Sequence, residues 1–207
     1  MSKEISTKEK ILDVAEQLFY SIGYEETSMD AIQKGANIAR GTLYYHFENK
    51  EKLLDRVIQR QGKIIFEQAE LVSRDKNLSI EDRLIKSLLS MNMSSKQEEI
   101  PLDQVHHPNN ALLHQKINQY IVERASPFLT EVVMDGINEG IFKTDYPQVA
   151  IEMILTYSNV AFDYTHELSQ EQLFNKFTAF SYHIHRLLGA QQGILDFSVF
   201  IKEVQNE

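Results

Sequence analysis

Two short helical segments joined by a corner of only three residues constrain this chain more than any other feature. Thr27 with Asp30 gives a capping signal for a helix to about Gly35, and a second short helix runs from about Ala39 to Tyr45. Asn37 lies in the corner, where asparagine tolerates a left-handed backbone better than other non-glycine residues. Before them, Ser6-Thr7-Lys8-Glu9 matches a capping box, Ile11, Ala15, Leu18, Phe19 and Ile22 form one apolar stripe, and Gly23 ends the helix. After them comes a much longer helix from Asn49 to about Ser73. A helix, a corner, a second helix and a landing are the parts of a helix-turn-helix, whose second helix enters the major groove of DNA by its N-terminal end.

The rest of the chain also reads as helix. There are four prolines and eight glycines, and no stretch alternates like a strand. Ser79 caps a helix, residues 94–108 form a polar loop, and another helix covers roughly Asn110 to Glu123. Ser126-Pro127 predicts a fresh helix start, closed by Gly140. Pro147 and Ser169, the latter in a capping box with Gln172, open the last two long helices, and a short one follows from about Ile194 to Val204. Gly62, inside the long helix, predicts close packing against a neighbour or a hinge. The expected class is all-α: a three-helix DNA-binding domain over residues 1–50, with the start of the connecting helix to about 60, then a helical bundle over 51–207.

Charge favours approach to DNA by one end. The net charge is −9, which argues against nonspecific coating of nucleic acid, yet residues 31–60 carry six basic and three acidic side chains while residues 1–30 carry three and seven. With no cysteine, thiolate chemistry and cysteine-ligated metals are excluded. The first ten residues lack the apolar core of a signal peptide, and no run of about eighteen apolar residues occurs, so the expected location is cytoplasmic and off the membrane. The chain offers no HExxH, phosphate-binding glycine loop or nucleophile elbow to support the alternative of an all-α enzyme. An architectural DNA protein without a ligand, the other alternative, leaves the large acidic second domain without a purpose.

Arg40, Thr42, Tyr44, Tyr45 and His46 would furnish the recognition helix. Arginine can bond a guanine edge bidentately, threonine offers a hydroxyl and a methyl, and tyrosine can reach a phosphate. Three consecutive large residues span about 200° of a helix, so Tyr44, Tyr45 and His46 cannot all enter one small core. Gly41 lets the backbone approach closely, and Lys50 adds charge where the long helix begins. Thr27 completes the set at the start of the motif.

Gly41-Thr42-Leu43-Tyr44-Tyr45-His46-Phe47, followed by Lys50 and Leu53, resembles the tetracycline-repressor (TetR) family of bacterial regulators over about residues 7–56. The resemblance implies that Ser28, Arg40, Thr42, Tyr44, Tyr45, His46 and Lys50 contact DNA while Ile32, Leu43 and Phe47 hold the core. Asn37, Ala39 and Gln33 stand where the family usually has glycine, serine and a packed alanine.

The same resemblance implies a homodimer joined by the last two long helices, a double-stranded, near-palindromic operator, and a small-molecule effector bound in the middle of the chain whose binding ends repression. No cofactor is implied. In the Pro147 helix, Ala150, Ile154, Tyr157, Ala161 and Tyr164 make one apolar stripe and Ile151, Leu155 and Phe162 a second, which asks either for a partner subunit or for burial in the monomer core. Ile151, Leu155, Phe162, Leu173, Phe177, Phe180, Ile184 and Leu187 are the candidate interface. Phe66, Met91, Tyr120, Phe128 and Tyr157 are the candidate pocket lining. His106, His107 and His114 read as histidines of a polar loop and its flank, not as a metal site.

Overall fold

The computed structural model describes residues 6–91, 110–162, 168–191 and 193–195, and every long element among them is an α-helix. Among the described residues eight helices run α1 (Thr7–Ser21), α2 (Met29–Gly35), α3 (Arg40–His46), α4 (Lys50–Arg74), α5 (Ile80–Ser90), α6 (Ala111–Asn138), α7 (Pro147–Ala161) and α8 (Gln170–Leu188). The chain divides into two compact units, one made of Met1–Ile64 with Met93–Tyr120 and the other of Ile65–Asn92 with Ile121–Glu207. The polar loop expected over 94–108, with His106 and His107, lies outside the described residues. So does Tyr164, and so does most of the helix expected over 194–204.

In the first unit, Ser6 caps α1 by accepting from the Glu9 N–H at 3.2 Å, and the helix buries Ile11, Leu12, Ala15, Phe19 and Tyr20. Gly23, at φ +93°, turns the chain out of α1. α2 starts one residue later than expected, with Ser28 as its cap accepting from the Ala31 N–H at 3.1 Å. A Cβ on Gly35 would lie 2.7 Å from Val14, so α2 packs against α1 where no side chain intervenes. Asn37 adopts φ +49° in the corner, as its residue type allows. Ile32, Leu43 and Phe47 join Phe19, Leu53, Leu54 and Val57 in one core, and Leu113 of α6 is buried in the same cluster.

In the second unit, Phe66, Ala69, Leu84, Leu129, Val132, Ile151, Leu155 and Leu188 are among the buried residues. Arg83 is buried among them, and two of its guanidinium nitrogens are partnered: Nε donates to the Ser73 carbonyl at 2.6 Å and Nη2 meets Asp135 at 2.7 Å. Lys76 also pairs with Asp135. The two cations hold the Asp135 carboxyl below its ordinary value of 3.8, the Lys76 bond contributing most and the Arg83 bond next.

The sequence predicts two helices divided at Ser126-Pro127, but α6 is continuous from Ala111 to Asn138 with Pro127 inside it. A mid-helix proline removes the N–H that would bond the carbonyl of residue 123, at a cost of about 3 kcal/mol. Ala125, Phe128, Leu129, Val132 and Val133 are all buried and keep one inward face running past the proline, which outweighs that loss. Ser126 does not cap; its hydroxyl is buried without a partner among the described residues. Gly62 is buried within α4. Ser169 forms its capping box with Gln172.

Candidate nucleic-acid interface

Leu43 and Phe47, one turn apart, fix α3 to the core beneath it. Its other side is open. Arg40, Gly41 and Tyr44 are exposed, Tyr45 is 85% exposed, and Thr42 and His46 are half-buried. The Arg40 guanidinium lies 5.6 Å from the Tyr44 ring centre, and the Tyr45 and His46 rings meet edge to face at 5.2 Å. A Cβ on Gly41 would meet nothing within 4 Å, so this position is bare toward solvent. Ser28 is exposed where α2 begins.

Lys50 has a more specific setting than the sequence indicates. Its Nζ donates to the Tyr24 carbonyl at 2.7 Å and the Glu25 carbonyl at 3.2 Å, and lies 4.3 Å from the Tyr24 ring centre. An ammonium has three N–H bonds, which leaves one for another acceptor. Thr27 has to be withdrawn as a DNA contact. It is 1% exposed, and its hydroxyl donates to the Gly23 carbonyl at 2.7 Å, closing the turn between α1 and α2. Its neighbour Ser28 holds the cap that the sequence assigned to Thr27.

The basic character of residues 31–60 is partly committed within the unit. Arg60 pairs with Glu9, Asp13 and Glu16 of α1, one guanidinium against three carboxylates, and these bonds raise its pKa against the opposing effect of burial. Neither Lys34 nor Arg40 has an ion pair among the described residues, so their charge remains available.

The candidate pocket residues fall in both units. Phe66, Met91 and Phe128 are buried in the second unit, Tyr157 is half exposed, and Tyr120 packs against the core of the first unit. An open cleft of about 500 Å³ in the second unit is lined instead by Arg74, Lys76, Arg83, Pro127, Thr130, Glu131, Met134 and Asp135. Among the described residues no group of three potential ligands could hold a metal ion, and His114 lies 3.4 Å from Asn118.

The candidate dimer face needs correction. Ile151, Leu155, Leu173, Phe177 and Ile184 are buried inside the second unit, and Phe162 stacks on Phe177 at 4.3 Å and contacts Phe180 at 5.2 Å. Those five buried side chains are committed within the subunit and are not free for a second one, whereas Phe162, Phe180 and Leu187 are half-buried. The apolar residues open to solvent are Val149, Met153, Tyr157 and Val160 on α7, with Phe174 and Tyr182 on α8. The three- and four-residue spacing of the α7 set is the signal that could have found it, once the inward face was known.

Residues 11–57 match the model of bacterial regulatory proteins of the tetR family, and residues 90–183 match a tetracyclin repressor-like C-terminal domain. The chain belongs to the TetR family. It is a DNA-binding transcription regulator and not an enzyme. Among its relatives, the HTH-type transcriptional regulator YhgD of Bacillus subtilis is 26% identical over 77% of this chain and 85% of its own length. The biofilm operon negative regulator IcaR of Staphylococcus epidermidis is 31% identical over 55% of this chain and 68% of its own. The fatty acid degradation regulator FadR of Bacillus halodurans shares the fold with a TM-score of 0.59 and 25% identity, covering 90% of this chain and 96% of that one. A complex of SmeT, from Stenotrophomonas maltophilia, with triclosan does so with a TM-score of 0.55 and 19% identity over 91% and 93%. In this TetR protein Gln33 serves the corner: its side-chain amide donates to the Ile38 carbonyl at 2.7 Å and braces the corner from within. No described helix is long and apolar enough to cross a membrane.

Proposed function

We propose that this TetR protein is a homodimeric repressor that holds a near-palindromic operator and releases it when a small molecule binds. The observation that carries the DNA contacts is the outward face of α3: Arg40, Tyr44 and Tyr45 project to solvent on a helix whose Leu43 and Phe47 are committed to the core. Ser28, Gly41, Thr42, His46 and Lys50 complete the contact set, with Arg40 suited to a guanine edge and Lys50 to a phosphate. Repression agrees with the negative regulation named for IcaR, and response to a small molecule agrees with the triclosan complex of SmeT.

Residues 1–50 read DNA, the start of α4 connects, and the remainder of 51–207 senses the effector and dimerises, although Met93–Tyr120 groups with the first unit. The exposed stripe of Val149, Met153, Tyr157, Val160, Phe174 and Tyr182 is the surface on which α7 and α8 meet their counterparts. For the effector, Ser126 and Thr130 bury hydroxyls one turn apart on α6, and Asn159 buries an amide nitrogen, each without a partner among the described residues. Buried polar groups left so cost about 1–3 kcal/mol, which a ligand with hydrogen-bonding groups would recover.

Selection of bound fragments from random DNA tests the reading. A discrete inverted repeat is expected, bound with an affinity that falls steeply as salt rises. Recovery of no discrete site would sink it. A metabolite or drug that raises the melting temperature must also release the selected DNA, because only a ligand that favours the DNA-incompetent form shifts the balance.

A further inference from the structure

We propose that Asn110 is a positioning residue for DNA binding: its side-chain oxygen holds the corner between α1 and α2 from one side while Lys50 holds it from the other. The inference rests on the reading that α3 and its flanks bind operator DNA.

The corner from Gly23 to Ser28 has no regular structure to satisfy its backbone, so each buried polar group needs its own partner. Thr27 satisfies the Gly23 carbonyl, with its N–H at 3.2 Å and its hydroxyl at 2.7 Å. Lys50 takes the Tyr24 and Glu25 carbonyls. The Tyr24 N–H is satisfied from 86 positions away, donating to Asn110 Oδ1 at 2.7 Å. Asn110 is 1% exposed, one residue ahead of α6. The first turns of α6 are held in the same unit by Leu113, buried in the core, and by Lys116, whose Nζ lies 2.9 Å from Glu51 and 2.8 Å from Asp55 of α4. The two peptide groups that flank the Tyr24 Cα are therefore each held, the one before it by Asn110 at the Tyr24 N–H and the one after it by Lys50 at the Tyr24 carbonyl.

Without the Asn110 oxygen, the Tyr24 N–H is left buried with no acceptor and the corner has to shift to reach water. That shift moves the two carbonyls that orient Lys50 and the start of α2 where Ser28 is exposed, and phosphate contacts depend on placement to within about 0.5 Å. Asn110 touches no DNA in this scheme. It acts through the corner.

The test uses the full chain and a fragment selected by the wild-type protein; failure of the wild type to select one would count against the DNA-binding reading, not against Asn110. Asn110→Ala is expected to bind that fragment about tenfold more weakly, with a salt slope reduced by about one and faster hydrogen exchange at the Tyr24 amide. Unchanged affinity in the folded variant overturns the proposal, even if the melting temperature falls, because a merely structural contact would change stability alone. Asn110→Asp keeps an acceptor at the same reach and serves also if the alanine variant does not fold. In it, Tyr24 amide protection and affinity must move together, both kept or both lost. Protection kept with affinity lost, or the reverse, overturns the assignment.

Discussion

At Lys50, two of the three ammonium N–H bonds go to the Tyr24 and Glu25 carbonyls, so removal of this side chain acts on fold and binding at once. Lys50→Ala is expected to lower unfolding free energy by about 1–2 kcal/mol and to weaken DNA binding across all sequences with a salt slope smaller by about one. Urea melts and gel shifts over a salt series measure the two effects separately. Arg40→Ala should instead relax base preference at one position of each half-site while leaving stability within about 0.5 kcal/mol, since an exposed side chain holds no core group. Asp135 makes a prediction in pH. Its carboxyl is held below the ordinary value by Lys76 and Arg83, so the charged form contributes stability above that ordinary value, lost as pH falls through the lowered one. Asp135→Asn should be less stable than wild type near about pH 7, with the gap narrowing as pH falls below the ordinary carboxyl value of 3.8. Urea midpoints that keep a constant gap would show that the carboxylate charge is not the source.

Among the helices, α6 carries the clearest disagreement between local signal and outcome. Pro127→Ala restores the N–H absent from its middle and should raise stability by about 1–3 kcal/mol, read as a higher thermal midpoint. Gly189 ends α8 at φ +59°, and a Cβ there would come within 2.1 Å of the Lys143 carbonyl oxygen, so Gly189→Ala should lower it. Serine followed by proline is a good helix start by every local criterion, and no local criterion reveals that Phe128, Leu129 and Val132 continue an inward face already begun at Ala125. The helix-turn-helix was legible because its cues are local: Asn37 in the corner, hydroxyl caps, and large residues too crowded to share one core. Thr27 and Ser28 are adjacent hydroxyls, and a shift of one position exchanged the cap for the buried turn. On α7 the two apolar stripes were visible and both turn inward, Ala150 and Ile154 of one and Ile151 and Leu155 of the other being buried, whereas the outward face of Val149, Met153 and Val160 went unread because burial depends on where α8 packs.

For the molecule as a whole, a two-fold partner would cover the stripe from Val149 to Val160 and bring two copies of α3 to one face of DNA. Met153→Glu, which places a charge in the middle of that stripe, should yield a folded monomer by light scattering, with unchanged helical signal and greatly weakened operator binding. A dimer that persists would locate the contact elsewhere. Phe177→Ala, by contrast, removes a ring buried within the subunit and should cost about 3–5 kcal/mol of stability without selectively breaking the dimer.

The division of labour on α3 has a consequence for descent. Leu43 and Phe47 keep the helix in place, whereas Arg40, Tyr44 and Tyr45 touch little of the protein itself. Exchanges at the outward positions can accumulate without risking the fold, so a duplicated copy of this gene could acquire a new set of targets before it lost its architecture. An exchange at Leu43 or Phe47 has no such freedom: it removes the helix together with whatever site it reads.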